Sequence, residues 1–312
     1  MIMQNKDLWP PVACPDAFAR LSPRVRNANQ CVLDGIQKIQ DTAVIQLITA
    51  MLAPLRNKSS KWLLQENAAA QKNAPDFCER LVMQVDYDLW WGGPAAAEKS
   101  HHCFPGGWLL HNATNLHSLE MLIKTAREFR GLEINTDAMY AGMLLHDCLK
   151  PQLLLWQDGE MMQDPEGCNH HVAALAEGYL QGATPEVLIM LAGIHGGWWQ
   201  NTEGVAKYLD QAAHLIDRPE LTRIKSTFPQ VDFLPETWIM RQGEAAWYSA
   251  TKTAIQEVKP QLRDLLGSLV APEDERAAEW WVLMHCDELE LVRNITEGTF
   301  EDAVRKVLLV TD

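Results

Sequence analysis

The stretch AGMLLHDCLKP, residues 141–151, decides how the rest of this sequence is interpreted. An apolar, helix-forming run ends by placing His146 beside Asp147, with Lys150 three residues later and Pro151 as a predicted helix stop. Burying an imidazole and a carboxylate costs free energy unless another group compensates them. The stretch therefore predicts a functional pair at the end of a buried helix.

Composition and charge restrict the class of protein. The chain has 312 residues and 47% hydrophobic composition, which is typical of a globular protein with a sizeable core. A net charge of -14 repels polyanions, so we expect no nucleic-acid polymer as a partner. Neither a signal-peptide pattern nor an apolar run of about 18 residues is visible, which predicts a cytoplasmic protein without membrane association. Seven cysteines without CxxC spacing indicate reduced thiols.

Helical periodicity dominates the chain and predicts an all-α fold. We expect Asp137 to cap the helix that leads to His146, and residues 219–237 to be irregular. We predict a division of the chain into an N-terminal helical extension (1–100), a central core (101–218) and a C-terminal helical extension packed on the core (219–312). The predicted helices span residues 28–53, as one or two helices, and 60–84, as a pair broken near Asn73–Asp76, then 108–129, 137–150, 168–182, 184–195, 203–217, 243–268 and 272–306.

Histidine and aspartate recur at or beside the predicted helix ends of this central core. Imidazole and carboxylate are ligands of divalent transition metals, and one carboxylate can bridge two ions. A bound metal would offset the cost of burying the His-Asp pair. The candidate ligands are His111, His146, Asp147, His170, His171, His195 and Asp210.

The ordered series of His, His-Asp, His, His and Asp resembles the HD-domain superfamily. GGWLLHNATNLHSLEML is similar to the first histidine helix of that superfamily, and MLLHDCLKP is similar to its signature dyad. CNHHVA, LAGIHGG and KYLDQA are similar to its later ligand helices. The resemblance covers about residues 108–217, and it implies an HD-domain helical core with additional helices on both sides.

The resemblance also implies a ligand set. His111, His146, Asp147 and Asp210 would hold a core ion, while His195 and one of His170 or His171 would hold a second ion, with Asp147 bridging. Two divalent ions are therefore expected, and the ligands do not distinguish Fe, Mn, Zn, Ni and Mg. Two departures affect this assignment: Leu149 stands where many members have glycine, and the span from His195 to Asp210 is short. Asp217 and Asp287 are the alternatives for the last ligand.

The function implied by the resemblance is hydrolysis of a small phosphorylated molecule or nucleotide. Metal coordination lowers the pKa of a water from about 15.7 toward 7, and Asp147 would take part in that chemistry. Lys150 would contact a phosphate oxygen, although a solvated helix-terminal cation is its alternative role. Two other classes stay open, a mixed-valent di-iron oxygenase that uses the same ligands and a non-catalytic signalling module. Trp198 and Trp199 could stack on a substrate or simply pack, and the oligomeric state stays open.

Overall fold

Helices form almost all of the regular structure in the computed structural model, which describes residues 9–82, 85–98, 100–157, 160–161, 169–195, 202–228 and 234–309. The expectation of an all-α fold is confirmed. Within these ranges, two short strands, β1 (Trp156–Gln157) and β2 (Glu160–Met161), pair in antiparallel fashion. No helix of the described ranges has the length and apolar character needed to cross a membrane.

The helices follow one another with short connections, and short 3-10 helices occupy Leu63–Glu66, Pro219–Arg223 and Pro272–Asp274. The α-helices of the described ranges are α1 (Pro15–Leu21), α2 (Pro23–Gln37), α3 (Thr42–Arg56), α4 (Ala68–Asn73), α5 (Pro75–Val82), α6 (Leu89–Gly92), α7 (Gly107–Arg130), α8 (Thr136–Leu145), α9 (Lys150–Leu153), α10 (His170–Leu180), α11 (Pro185–Ile194), α12 (Thr202–Ile216), α13 (Ile224–Thr227), α14 (Pro235–Leu269), α15 (Glu275–His285), α16 (Glu288–Glu297) and α17 (Phe300–Leu308).

The packing is organised around α7, which lies against α2 and α14. Helix α8 packs on α11 and α3, and α10 packs on α12 and α11. Helix α14 also contacts α8 and α11, so a helix from the predicted C-terminal extension forms part of the surroundings of the central helices. Buried apolar side chains form one continuous cluster that runs from Phe18 to Leu308. The three predicted ranges therefore share a hydrophobic core, and their division into domains stays a prediction.

The helix before the His-Asp pair begins and ends differently from our expectation. Asn135, not Asp137, caps α8 by accepting a hydrogen bond from the Ala138 amide. Asp137 instead accepts hydrogen bonds from two backbone amides of the loop between α2 and α3. The helix ends at Leu145, and Pro151 lies in the first turn of α9, where its missing N–H is tolerated. The predictions for Asp137 and Pro151 were therefore wrong, and the chain turns at His146 instead of continuing as a helix.

The region 219–237 is less irregular than predicted. It contains a 3-10 helix, the short α13 and the start of α14 at Pro235, while residues 229–233 lie outside the described ranges. Buried side chains at Ile239 and Met240 explain the early start of α14, because they pack this first part of the helix into the core. Packing that cannot be read from local composition therefore extends the helix.

The start of α7 needs two consecutive glycines. Gly106 adopts a left-handed conformation with φ of 78°, which glycine tolerates without steric cost. At Gly107, a Cβ atom would lie 1.9 Å from the carbonyl oxygen of His102, so the preceding loop crosses directly over the helix start. The contact holds residues 101 and 102 against the first turn of α7.

Replacing Gly107 with alanine should lower the free energy of unfolding by about 3 kcal/mol, because the His102 carbonyl belongs to the backbone and cannot rotate away. Urea denaturation followed by circular dichroism measures this change. Gly267→Ala on α14 is the matched control, since its Cβ would meet only the Glu275 carboxylate at 3.6 Å. We expect the control to be neutral or stabilising by up to about 1 kcal/mol. Equal stability of the two variants would contradict the close approach at Gly107.

Candidate metal centre

The candidate ligands lie at or near the ends of helices that meet around Asp147. His146 is the C-cap residue of α8, and Asp147 follows it in the turn that precedes α9. His195 is the C-cap residue of α11, and His170 is the first residue of α10. His111 lies in the second turn of α7. The interruption between α8 and α9 therefore lets the Asp147 side chain face several helices at once.

One oxygen of Asp147 belongs to a group of four buried side chains, those of His111, His146, Asp147 and Glu244. His111 Nε2 lies 3.2 Å from Asp147 Oδ2 and 3.4 Å from Glu244 Oε2. His146 Nε2 lies 3.4 Å from Asp147 Oδ2 and 3.3 Å from Glu244 Oε2. One ligand atom from each of the four residues lies within 4.8 Å of the others. Two imidazoles and two carboxylates at this spacing are a suitable set for a divalent cation.

The other oxygen of Asp147 faces a second group of histidines. His170 Nε2 lies 3.3 Å from Asp147 Oδ1, and His195 Nε2 lies 3.8 Å from it. His171 stacks on His195 with ring centroids 3.6 Å apart, and ligand atoms of His171, His195 and Asp147 lie within 4.8 Å of one another. Both neighbouring histidines therefore reach the second group, because they start α10 and their rings lie only 3.7 Å apart.

Several of these ligand atoms have no hydrogen-bond partner among the described residues. A buried polar atom without a partner costs about 1–3 kcal/mol, so native structures usually satisfy such atoms. Lone pairs on ring nitrogens and a carboxylate oxygen are what a divalent cation accepts, so the donor set fits a metal. The buried atoms concerned are His146 Nε2, Asp147 Oδ1, His170 Nε2, His171 Nδ1 and His195 Nε2.

Neighbouring groups fix the orientation of the ligands. His146 Nδ1 lies 2.7 Å from the Met143 carbonyl oxygen, which assigns the proton to Nδ1 and leaves Nε2 for the site. The Trp108 indole donates a hydrogen bond of 3.1 Å to the backbone carbonyl of Asp147. The Asn115 amide donates to Glu244 and lies 3.1 Å from His111 Nε2. The contacts with Met143 and Trp108 hold the ligands in orientation, as supporting contacts of metal ligands do, whereas Asn115 contacts two candidate ligand atoms directly.

The electrostatics of the first group favour a cation. Burial opposes ionisation of Asp147, yet His146 and Lys150 hold the pKa of its carboxyl well below the usual range. Burial likewise opposes ionisation of Glu244, and His111 and His146 hold the pKa of that carboxyl well below its usual range. Burial lowers the pKa of His146, but Asp147 and Glu244 outweigh it and raise that pKa to about 10, so a cation bound by these residues would replace the proton on His146 Nε2. Two carboxylates are therefore ionised at neutral pH and attract positive charge.

The second group consists of neutral imidazoles. Burial lowers the pKa of His170 to about 4, in spite of its contact with Asp147. Burial also lowers the pKa of His171 and that of His195. Neutral imidazole is the form that binds a metal, so these histidines are in the ligand form at pH 7.

Lys150 belongs to the same cluster. Its Nζ atom lies 2.6 Å from Asp147 Oδ2, and its side chain is only 13% exposed. The alternative of a solvated helix-terminal cation does not describe this position, because Lys150 begins α9 and pairs with a buried carboxylate.

The predicted last ligand is not brought to this cluster. Asp210 lies on the exposed face of α12, whereas its neighbour Leu209 is buried. The alternatives also lie elsewhere: Asp217 is exposed, and Asp287 caps α16 and pairs with Arg24. Leu209 lies on the buried face of α12, and Asp210, one residue later, points to solvent instead. Trp198 and Trp199 lie outside the described residues.

Glu244 supplies the carboxylate that the sequence analysis missed. It lies on α14, outside the span that resembles HD domains. The sequence contains a signal for this residue. Glu244 follows the apolar Met240 by four residues, which places a charge on the apolar face of the helix. A buried carboxylate on an apolar face indicates a paired or metal-binding role.

Comparison with known proteins gives a partial similarity. A dihydroneopterin 2',3'-cyclic phosphate phosphodiesterase from Methanocaldococcus jannaschii is 32% identical to this chain over 98 residues. The matched stretch spans 31% of this chain and 39% of the relative. No family model and no solved structure matches the chain. Over part of its length, the chain is thus similar to a phosphodiesterase.

Proposed function

We propose that this protein is a metal-dependent phosphohydrolase that acts on a small phosphorylated molecule or a nucleotide. The observation that carries the proposal is the position of Asp147, whose two oxygens each face a separate group of histidines. A carboxylate in this position can join two cations. The partial similarity to a phosphodiesterase supports the class of reaction.

The proposed ligands divide between two positions. His111, His146, Asp147 and Glu244 would hold one ion, in place of the set that ends with Asp210. Asp147, His195 and one or both of the histidines at the start of α10 would hold the other. Divalent ions bound there would lower the pKa of a water and neutralise charge on the phosphoryl oxygens.

The protein groups around these positions would bind and orient the substrate. We propose that the ammonium group of Lys150 binds a non-bridging phosphate oxygen of the substrate, since its Nζ atom lies beside Asp147 Oδ2. A phosphoryl group needs a positive partner, and this lysine supplies one. Complete burial of His146 and Asp147 limits solvent at the ligands and strengthens their electrostatic effects.

Replacing Lys150 with alanine should leave the metal content unchanged and reduce turnover about 10- to 100-fold. The expected loss corresponds to one charge-assisted hydrogen bond of about 1.5–3 kcal/mol. Steady-state kinetics together with mass spectrometry of bound metal measure both quantities. Lys124→Ala is the matched control, because Lys124 is exposed on α7 and pairs only loosely with Glu128 at 4.0 Å. If Lys150→Ala loses the metals, the lysine stabilises the ligands and our assignment to substrate is wrong.

A phosphate-release assay tests the proposed function. Metal-loaded protein is incubated with phosphomonoesters, nucleotides and 2',3'-cyclic phosphate diesters, and the products are separated by chromatography. We expect hydrolysis of at least one class, loss of activity with a chelator and recovery on adding a divalent ion. Failure of the fully metal-loaded protein to hydrolyse any of these classes would contradict the proposal.

A further inference from the structure

Two further histidines lie next to the candidate metal centre without belonging to it. His101 and His102 precede α7, and their exposed fractions are only 3% and 5%. Spacing in the sequence assigned them no role. In the structure, they join His111 in a group whose ligand atoms lie within 4.8 Å of one another. Three imidazoles at this spacing are within reach of a common cation.

The ring of His101 packs between those of His111 and Tyr248. Its ring centroid lies 4.8 Å from that of His111 and 5.6 Å from that of His102. On its other side, the ring of Tyr248 lies 4.7 Å away in an edge-to-face arrangement. Tyr248 is 37% exposed, so His101 lies beneath a partly exposed side chain.

The two histidines carry unsatisfied ring nitrogens. Among the described residues, His101 Nε2 and His102 Nδ1 are buried without a hydrogen-bond partner. Leaving such atoms unpaired is unfavourable by about 1–3 kcal/mol each. The other ring nitrogen of His101 is satisfied, since Nδ1 lies 3.1 Å from the Ser100 hydroxyl. The free nitrogens therefore indicate that a ligand compensates them.

The backbone holds this pair in an unfavourable conformation. His102 has a φ of 47°, which costs a residue other than glycine of order 1–3 kcal/mol. Its carbonyl oxygen accepts a hydrogen bond from Ala95 and packs against Gly107. Next to it, Cys103 Sγ lies 3.4 Å from Lys259 Nζ, which is paired with Glu98 and Glu279. The loop is thus fixed from several sides with its imidazoles turned inward.

The chemistry of the group selects a class of ion. Neutral imidazole binds zinc, copper, nickel and iron, whereas magnesium and calcium prefer oxygen ligands. A set of nitrogen ligands therefore suits a transition metal.

We infer that His101 and His102, with His111 at their border, form an additional binding position for a divalent transition metal. This position lies beside the first group of the metal centre, because His111 Nε2 already faces Asp147 and Glu244. His101 and His102 are its own ligands, and water completes the coordination. The inference goes beyond the proposed hydrolysis and does not depend on it.

Zinc stoichiometry tests the additional position. The full-length wild-type protein and the His101→Gln/His102→Gln variant are dialysed against buffered Zn²⁺, and bound zinc is measured by mass spectrometry. We expect the variant to bind about one equivalent less per chain. His117→Gln, on the exposed side of α7, is the matched control and should bind as much as the wild type. With Mg²⁺ as the probe, the wild type and the double variant should not differ.

Two controls separate loss of zinc from loss of folding and from loss of the proposed activity. If circular dichroism shows that the double variant is unfolded, His101→Gln alone is measured, since that substitution leaves the strained residue in place. Equal zinc content in a folded variant and the wild type would overturn the inference. The same loss of one equivalent is expected when the histidine substitutions are added to Asp147→Ala, so the result is independent of the proposed activity.

Discussion

Replacing Asp147 with alanine should abolish metal loading at the centre and reduce hydrolytic activity about a thousandfold or more. Among the described residues, Asp147 alone contributes to both groups of ligands, through Oδ2 on one side and Oδ1 on the other. Its removal leaves both positions without their shared carboxylate. Metal-ion catalysis contributes several kcal/mol to a rate, which corresponds to the expected loss. Mass spectrometry of bound metal and the phosphate-release assay measure the two effects.

The control for this variant addresses folding. Asp147 is buried and paired with Lys150 at 2.6 Å, so its removal leaves a cation without its partner and lowers stability. Asp147→Asn keeps the size of the side chain and loses the charge, and circular dichroism establishes whether each variant folds. A folded Asp147→Ala protein with full metal content and full activity would refute the proposed centre.

Replacing Glu244 with glutamine should remove about one ion per chain and reduce activity by about 100-fold or more. Glu244 Oε2 faces both His111 and His146, and no other glutamate or aspartate of the described residues joins Asp147 in that group. Glutamine preserves the shape of the side chain but binds cations weakly, because it has no net charge. Metal analysis and kinetics on the purified variant measure both effects.

Asp210→Asn is the matched control for Glu244. The sequence pattern predicted Asp210 as the last ligand, whereas the structure places its side chain on the exposed face of α12. We therefore expect Asp210→Asn to retain its metals and its activity within about twofold, as surface substitutions usually do. Loss of a metal in Asp210→Asn together with full metal content in Glu244→Gln would reverse the assignment.

Local signals made much of the centre predictable. His146 and Asp147 are adjacent in sequence, and an apolar run before them indicates burial. His111 follows the apolar residues 108–110 at the start of α7, and His195 follows the strongly apolar α11, so each polar side chain needs a partner. The all-α class follows from helical periodicity, which is retained through the described chain. These features depend on neighbours within a few turns, and a sequence displays such neighbours directly.

Contacts between distant segments were not predictable. Glu244 meets His111 across 133 positions of the sequence, only because α14 packs against α7. His101 and His102 reach His111 because their loop folds back over Gly107. The prediction of Asp210 as a ligand depended on the facing of α12. One residue along that helix separates the buried Leu209 from the exposed Asp210. Tertiary packing selects among such alternatives, and a single sequence does not encode it in a local pattern.

Hydrolysis in isotopically labelled water without dioxygen tests the central claim most directly. Metal-loaded protein is incubated under argon with the phosphorylated compounds of the release assay, and the products are analysed by mass spectrometry. Our account predicts that hydrolysis proceeds under argon and that one labelled oxygen from water enters the phosphate product. An absence of product under argon, followed by product formation and dioxygen consumption on admitting air, would contradict it and identify the metal centre as an oxygenase.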